Sequence, residues 1–352
     1  MMGKDSLMFH NPEHRITAEI RPTYNIPTHG YYRGHNDYNE DVPAAGAIHL
    51  KYGFCLNPES RLGSLYPTAY QGIGLGVQSF FHHNMTGTPI LLYIFQGSQI
   101  ADLGSNLSVG YEWNLGASYG WKVNNVVSSP WNIYINVCVP FTWHISPVWK
   151  LSLGPEFTHY SNGDTSFPNG GANTVGCRLG LTATINENID YKSPGLSFIQ
   201  TDKMPFRNHI EYDLAIYGGF RAKRQVTDKA LEIINKPFAT AWLMFYPSYR
   251  FNRYFSAGPA LDILYDKSVA VGRFLDQSAC GLSAKGELTM PFFAVNIGAG
   301  YGLSQSKQLQ GFYTTYGLKV FMNQNLFIGI NYRLSSIQYS HNLMFGMGIR
   351  LQ

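Results

Sequence analysis

The sequence lacks any run of about 20 apolar residues, the length that an α-helix needs to cross a bilayer. Its most apolar stretches, residues 89–95 and 291–300, are only strand-sized. Charged residues are scarce at 14%, against about 25% in a typical soluble domain, whereas aromatic residues reach 15%. The formal net charge of +4 is small for 352 residues and does not indicate nucleic-acid binding. A membrane protein without spanning helices has to be a closed β-barrel, because backbone groups in lipid must pair with one another.

Metal-binding patterns and a targeting segment are also missing. The four cysteines are widely separated and form no CxxC pattern, so we expect no metal site. One disulfide is possible, although the sequence cannot pair the cysteines; they are Cys55, Cys138, Cys177 and Cys280. The chain opens MMGKD without an apolar segment, so no secretory signal peptide is visible. We expect that the start codon has been assigned too late or that the sequence is that of a mature form.

Strand patterns recur from one end of the chain to the other. Short connections such as 145–147 and 323–325 alternate with long ones such as 24–44 and 162–172, which is typical of outer-membrane barrels. We predict an all-β fold: one transmembrane antiparallel β-barrel over 1–352 with an even number of strands, 12 to 16, and 16 as the best count. The candidate strands are 14–22, 45–54, 68–80, 89–97, 105–118, 131–143, 148–161, 173–185, 207–221, 238–250, 254–265, 279–289, 292–303, 311–322, 325–334 and 341–351.

Three segments do not fit this alternation. Residues 55–67 and 186–206 are long, yet they fall on the side of the short turns. Residues 227–234 have a helical pattern and are placed in a loop.

The strand candidate at 148–161 has two faces of different chemistry. Successive side chains of a strand point to opposite sides. One face carries Trp149, Leu151, Leu153, Pro155, Phe157, His159 and Ser161. The other, mostly polar, carries Lys150, Ser152, Gly154, Glu156, Thr158 and Tyr160. Because the apolar face of a barrel strand meets lipid, we expect His159 and Ser161 to end a lipid-facing stripe.

The position of this pair along the strand predicts its depth in the membrane. His159 lies about eleven residues beyond the short turn at 145–147, or ~36 Å along the strand. A strand tilt of about 45° turns this into a height of ~25 Å, where the outer head groups begin. A serine hydroxyl becomes a nucleophile when an adjacent base takes its proton, and histidine suits that role near neutral pH. The pair could therefore attack ester bonds of membrane lipids.

The same residues resemble those of a known family. The stretch His159-Tyr160-Ser161-Asn162-Gly163, followed by Pro168-Asn169 and Gly171, is similar to the lipid A 3-O-deacylases of the PagL type, whose larger relatives are called acyloxyacyl hydrolases. The likeness covers about 145–185 and keeps the spacing of both motifs. It implies a small eight-stranded barrel in the bacterial outer membrane, with the active site on the outer wall. It also implies an esterase without cofactor or metal that acts on lipid A of lipopolysaccharide.

The resemblance further implies a role for each residue. Ser161 is then the nucleophile and His159 its base, while Asn162, Gly163 and Asn169 lie near the oxyanion. This chain has Asn173 where the family has a glutamate that orients the histidine. An asparagine carbonyl can accept the imidazole N–H and fix the tautomer, but it brings no charge to stabilise imidazolium. Asp164, in the following loop, is an alternative partner.

The length of the chain and the substitution at position 173 leave alternatives open. The chain is about twice as long as an eight-stranded barrel requires, so either the barrel is wider or a second element accompanies a family-like part. A non-catalytic barrel, structural or transporting, that retains a degenerate motif is the alternative to a lipid A esterase. A soluble lipid-binding β protein is a third hypothesis, motivated by the missing signal peptide. The oligomeric state does not follow from the sequence.

Overall fold

The chain folds almost entirely into β-strands. A computed structural model describes residues 13–56, 63, 66–185, 196–198, 206–227, 230–269, 274–306, 309–335 and 340–352. The strands are β1 (Glu13–Ile26), β2 (Ala44–Cys55), β3 (Ala69–Ser79), β4 (Gly87–Leu103), β5 (Leu107–Trp121), β6 (Trp131–Cys138), β7 (Phe141–His144), β8 (Trp149–Ser161), β9 (Ala172–Ile185), β10 (Leu196–Phe198), β11 (His209–Thr227), β12 (Ala230–Arg250), β13 (Phe255–Asp266), β14 (Ser278–Thr289), β15 (Phe293–Leu303), β16 (Gly311–Phe321), β17 (Leu326–Ser335) and β18 (Ser340–Leu351). The helical elements whose bounds lie within the described residues are α1 (His83–Thr86) and two 3-10 turns, Gly30–Tyr32 and Phe274–Gln277. Among the helices of these residues, none has the length and apolar character needed to cross a membrane.

The first ten strands form one antiparallel sheet. Their order is β10-β4-β3-β2-β1-β9-β8-β6-β5-β7, and further pairings join β4 to β5 and β7 to β8. Because of these pairings the sheet closes into a ring, which we call the first barrel. Within it β6 and β7 act as one strand interrupted at Val139-Pro140, because proline has no N–H for the ladder. Gly154 lies opposite this interruption, where a Cβ would be only 2.3 Å from the carbonyl oxygen of Val139.

Strands β11–β18 close a second barrel among themselves. Each strand pairs with the next, and β11 pairs with β18. The predicted antiparallel β-barrel class is confirmed, but the strands do not form the single ring that we expected over 1–352. Contacts divide the chain into two compact units, one with β1–β10 and one with β11–β18. Eight strands enclose a space that side chains alone can fill, whereas sixteen would enclose an aqueous channel.

The segments that did not fit the alternation have different outcomes. The helical interpretation of 227–234 is wrong, because β11 continues to Thr227 and β12 already begins at Ala230. Most of 55–67 and 186–206 lies outside the described residues. Within 186–206 the structure describes β10, which pairs with Ala101–Leu103 at the end of β4.

Buried charges fill the interior of the first barrel. Arg178 contacts Glu112 and lies 3.1 Å from Glu156. Lys51 is held between two carboxylates, 2.8 Å from Glu19 and 2.6 Å from Glu112. These side chains are almost completely shielded from solvent, so each charge depends on its partners. Two small cavities within this lumen measure about 50 and 70 Å³, enough for a few water molecules.

The second barrel is filled in the same way. Lys319 lies 2.5 Å from Asp213 and also contacts Glu287. Arg350 donates two hydrogen bonds of 2.7 Å to Asp213 and one of 2.6 Å to Glu287. Both interiors are therefore packed polar cores, as an eight-stranded barrel allows.

The outward-facing surface of each barrel, which we call its wall, is apolar. On β2 the exposed side chains Ile48, Leu50 and Tyr52 alternate with the buried His49 and Lys51. Strands β8, β13 and β15 also alternate between exposed apolar side chains and buried positions. A water-soluble monomer rarely exposes an apolar surface this extensive, whereas a wall in contact with lipid requires it.

The ion pairs of the first barrel predict a stability effect. Arg178→Met should lower the free energy of unfolding by about 3–5 kcal/mol, because it leaves the carboxylates of Glu112 and Glu156 buried without this cation. Five of the six tryptophans precede residue 150, so urea unfolding in micelles followed by tryptophan fluorescence reports mainly on this barrel. Lys122→Met removes a charge from an exposed loop and serves as the control, with an expected change within about 0.5 kcal/mol. Equal losses in the two variants would contradict the prediction.

Candidate functional site

Strand β8 places the two residues predicted for chemistry on the wall of the first barrel. The odd-numbered Leu153 and Phe157 are 54% and 40% exposed, whereas the even-numbered Tyr160 is 1% exposed. His159 and Ser161 share the odd-numbered face and are half-buried. Both side chains thus leave the sheet on its apolar side, as the alternation in the sequence predicts.

The imidazole of His159 has a fixed partner on the neighbouring strand. Asn173 is directly opposite His159 in the β8–β9 register, and its side-chain oxygen lies 2.7 Å from Nδ1 of the histidine. An amide oxygen can only accept, so Nδ1 carries the proton and donates it. The neutral ring then presents the lone pair of Nε2, which is the form that a general base requires.

Ser161 stands next to this pair but is not bonded to it. It lies two positions beyond His159 on the same face, which corresponds to roughly 6.6 Å along a strand. In the described part of the chain no hydrogen bond joins the serine hydroxyl to the imidazole. A rotation of both side chains toward each other is needed to form the nucleophile–base contact, and such contacts are often long before a substrate binds.

Two loops hold the turn that follows Ser161. The backbone N–H of Asn162 donates to the side-chain oxygen of Asn169 at 3.0 Å, and the Asn162 amide donates to Ser128 at 3.0 Å. The N–H of Ser128 in turn donates to the carbonyl of Pro168 at 3.1 Å, and Gly170 donates to Val126 at 2.8 Å. Loop 122–130 and loop 162–171 therefore support each other beside the serine.

Left-handed backbone conformations shape this turn. Gly163, Asp164 and Gly171 have φ values of 65°, 63° and 60°. At Gly171 a Cβ would lie 2.2 Å from the carbonyl oxygen of Tyr160, so no other residue fits there. Gly171 thus allows the loop to approach the end of β8 closely.

Apolar side chains surround the pair on the wall. Ile135 is the neighbour of His159 on β6, and Ile133 is the neighbour of Ser161. Immediately below, Val137 and Val175 flank Phe157 on the two adjacent strands, and all three are exposed. An extended acyl chain that lies along this belt would bring its polar end to His159 and Ser161.

Behind the pair the lumen is packed with aromatic side chains. Tyr160 points inward between the two site residues, and its hydroxyl donates to Gln78 at 3.0 Å. Its ring lies 5.0 Å from that of Trp121 and 5.6 Å from that of Tyr134. This cluster packs against the end of β8 from the side of the lumen.

The structure brings together most, but not all, of the predicted site. His159 and Asn173 are in direct contact, and Asn162 contacts Asn169. Sequence reasoning missed Ser128, although the polar run at 124–129 could have signalled a supporting loop. Among the residues that the structure describes, no group of three His, Cys, Asp or Glu side chains is arranged to hold a metal ion.

Two family models match the chain, and together they cover more than half of it. The model "Lipid A 3-O-deacylase (PagL)" matches residues 123–182, which include loop 122–130 almost entirely and β6–β8. The model "Acyloxyacyl hydrolase, C-terminal domain" matches residues 210–352, the second barrel. No curated protein matches the chain.

Several solved outer-membrane proteins are similar to the chain at low identity. CdiB from Acinetobacter baumannii is 12% identical over 96% of this chain, with a TM-score of 0.20, and the chain spans 60% of its length. A mutant porin of Rh. blastica is 7% identical over 96% of this chain and 99% of its own, with a TM-score of 0.19. The toluene transporter TodX of P. putida is 10% identical over 99% and 92%, with a TM-score of 0.18. These scores are too low to relate the architecture to any of them.

The contact between His159 and Asn173 can be tested without any assay of activity. In the unsubstituted protein the side-chain nitrogen shifts of His159 should be those of the Nδ1–H tautomer. Asn173→Ala removes the acceptor and should shift the ring toward the Nε2–H form, whereas Asn173→Asp should keep Nδ1–H. The measurement is ¹⁵N NMR of histidine-labelled protein in micelles, with His159→Gln to assign the signal. An unchanged tautomer in Asn173→Ala would show that the hydrogen bond does not control the ring.

Proposed function

The chain belongs to the lipid A 3-O-deacylase family with its acyloxyacyl hydrolase C-terminal domain, and on this premise we propose that it is an outer-membrane esterase that removes an ester-linked acyl chain from lipid A through Ser161 and His159. The observation that carries the proposal is the pair formed by His159 and Asn173 on the lipid-facing wall, beside a half-buried serine.

The substrate reaches the site from the plane of the membrane. Lipopolysaccharide diffuses laterally to the wall, and one acyl chain lies along Phe157, Val137 and Val175. This places the ester at the level of Ser161, where the apolar belt ends. Binding on the wall orients the ester carbonyl toward the Ser161 hydroxyl. This orientation lowers the entropic part of the activation barrier.

The reaction then follows the general scheme of serine esterases. Nε2 of His159 takes the proton of Ser161 as the oxygen attacks the ester carbonyl. The bond to the lipid A oxygen breaks, and the imidazolium returns the proton to this leaving hydroxyl. Water, deprotonated by the same histidine, releases the fatty acid from the acyl-enzyme. The backbone amide of Gly163 and the side chain of Asn169 are the donors we assign to the oxyanion, with Asn162 holding the turn.

Asn173 replaces the charged orienting group of the family with a neutral one. Its carbonyl selects the tautomer of His159, but it stabilises the imidazolium less than a carboxylate would. We therefore propose that the enzyme is active but slower than it would be with a carboxylate at position 173.

The lumens of the two barrels do not support the alternative that the protein transports a substrate. Its passage would have to run through a lumen, and both described lumens are filled by paired charges such as Arg178–Glu156 and Lys319–Asp213. A purely structural barrel stays as the outcome that the following experiment would indicate if no fatty acid were released.

Ser161→Ala should abolish deacylation. The loss of the nucleophile should reduce the release of ester-linked fatty acid by at least about 10³-fold, because positioning alone retains little of the rate. Mass spectrometry of lipid A incubated with the purified full-length protein measures the release. Ser152→Ala, on the same strand but bonded to the carbonyl of Gly180, is the matched control and should keep full activity. Release by Ser161→Ala at the unsubstituted rate would exclude the proposed nucleophile.

Asn173→Asp should increase the rate. A charge-assisted hydrogen bond is about 1 kcal/mol stronger than a neutral one, which corresponds to roughly a fivefold faster acylation step. Asn173→Ala should decrease the rate, since it frees the tautomer of His159. Initial rates on one preparation of lipopolysaccharide compare the three proteins. A slower Asn173→Asp variant would show that Asn173 does not act through the imidazole.

A further inference from the structure

The wall of the second barrel contains an apolar recess that the proposed chemistry does not use. It has a volume of about 490 Å³ and is crossed by a row of outward side chains on five neighbouring strands. Each member of the row pairs directly with the next across β11–β15. The row consists of Ile216, Leu243, Ile263, Cys280 and Leu303.

A short 3-10 turn covers the upper side of this row. Phe274, which is 68% exposed, stacks on Tyr265 with ring centroids 5.3 Å apart and an angle of 16°. The Tyr265 hydroxyl donates to Gln277 at 3.0 Å, and Ser278 donates to the carbonyl of Phe274 at 2.8 Å. These contacts hold the turn above the wall, so a recess remains beneath it instead of a flat surface.

Polar groups form the rim on the loop side of the recess. Ser304 donates to the carbonyl of Ser278 at 2.6 Å, and Gln305 is exposed next to it. The rest of the lining is apolar. This is the distribution expected for a ligand with a hydrocarbon body and one polar end.

The recess lies as far above its short turn as the candidate catalytic pair lies above its own. Tyr265 is the eleventh residue of β13, as His159 is of β8. The alternation of exposed and buried positions is the same in both strands over their first twelve residues. Tyr265 and the neighbouring Ile263 of the row therefore lie near the end of β13 that is farther from its short turn.

We propose that this recess binds one acyl chain of a membrane lipid and holds it without cleaving it. The recess is continuous with the apolar wall, so the occupant comes from the membrane. Hydrocarbon gains little free energy by moving from lipid onto an apolar wall. The preference must therefore come from the shape beneath Phe274 and from a hydrogen bond that the exposed side-chain amide of Gln305 donates to the lipid's ester, since the hydroxyl of Ser304 already donates to Ser278. The proposal needs the membrane location of the barrel but not the chemistry of Ser161.

The test uses the full chain reconstituted in vesicles of phosphatidylcholine that carries a photoactivatable diazirine on one acyl chain. After illumination, mass spectrometry should locate crosslinks preferentially at residues 274–280 rather than around Ile328, which faces outward on β17. Ile263→Trp and, independently, Leu243→Trp should fill the recess and reduce these crosslinks by about fivefold or more. Ile328→Trp is the matched control, because it adds the same side chain to the wall outside the recess and should leave the crosslinks unchanged.

Two further arms identify the lipid and separate this proposal from the esterase. Unlabelled lipopolysaccharide and unlabelled phosphatidylcholine are added in turn as competitors, and the stronger competitor supplies the natural chain. Ser161→Ala should crosslink like the unsubstituted protein, and Ile263→Trp should keep its deacylation rate. Crosslinks spread evenly around the wall, no competition by either lipid, or full crosslinking in both tryptophan variants would overturn the proposal.

Discussion

Ring closure by antiparallel pairing is the constraint on which the rest of this structure depends. Once a sheet closes, every backbone N–H and C=O within it can be satisfied by a neighbouring strand, and every side chain faces either the lumen or the wall. A shift of one residue would exchange the two sets over a whole strand. On β8 such a shift would turn His159 inward and expose Tyr160. The register of β8 with β6 and β9 thus decides whether the site exists.

Charge pairing inside the rings accompanies a buried cluster of aromatic and aliphatic side chains in each barrel. Burying Arg178 or Lys319 is costly in free energy, and the cost is offset only when carboxylates surround the cation with good geometry. The benefit is specificity more than stability, since a register that separates these partners would leave charges buried alone. The aromatic cluster around Tyr160 adds a rigid layer above this network. The candidate site therefore rests on a strand that is braced from behind.

The sequence predicted most of the strands and the two faces of β8, because both follow from a two-residue repeat. The depth of the candidate pair in the membrane stays a prediction. The sequence did not predict that the strands divide into two barrels. The reason is physical: each strand pattern records which residues face in and out, but not which strand its edge pairs with. Nor could it predict the contact of Asn162 with Ser128, since loop-to-loop hydrogen bonds such as that at 3.0 Å depend on tertiary placement. The helical prediction for 227–234 failed because the extension of the ladder between β11 and β12 outweighed the local preference for helix.

The filled lumens have a consequence for how an enzyme of this kind would behave. Because side chains fill the described part of each lumen, the substrate of a wall-mounted serine and the fatty acid that it releases would both travel within the bilayer. The rate would then depend on the mole fraction of lipid A in the leaflet and not on its bulk concentration. Dilution of the membrane with an inert lipid should slow turnover even when the total amount of lipid A and protein is held constant.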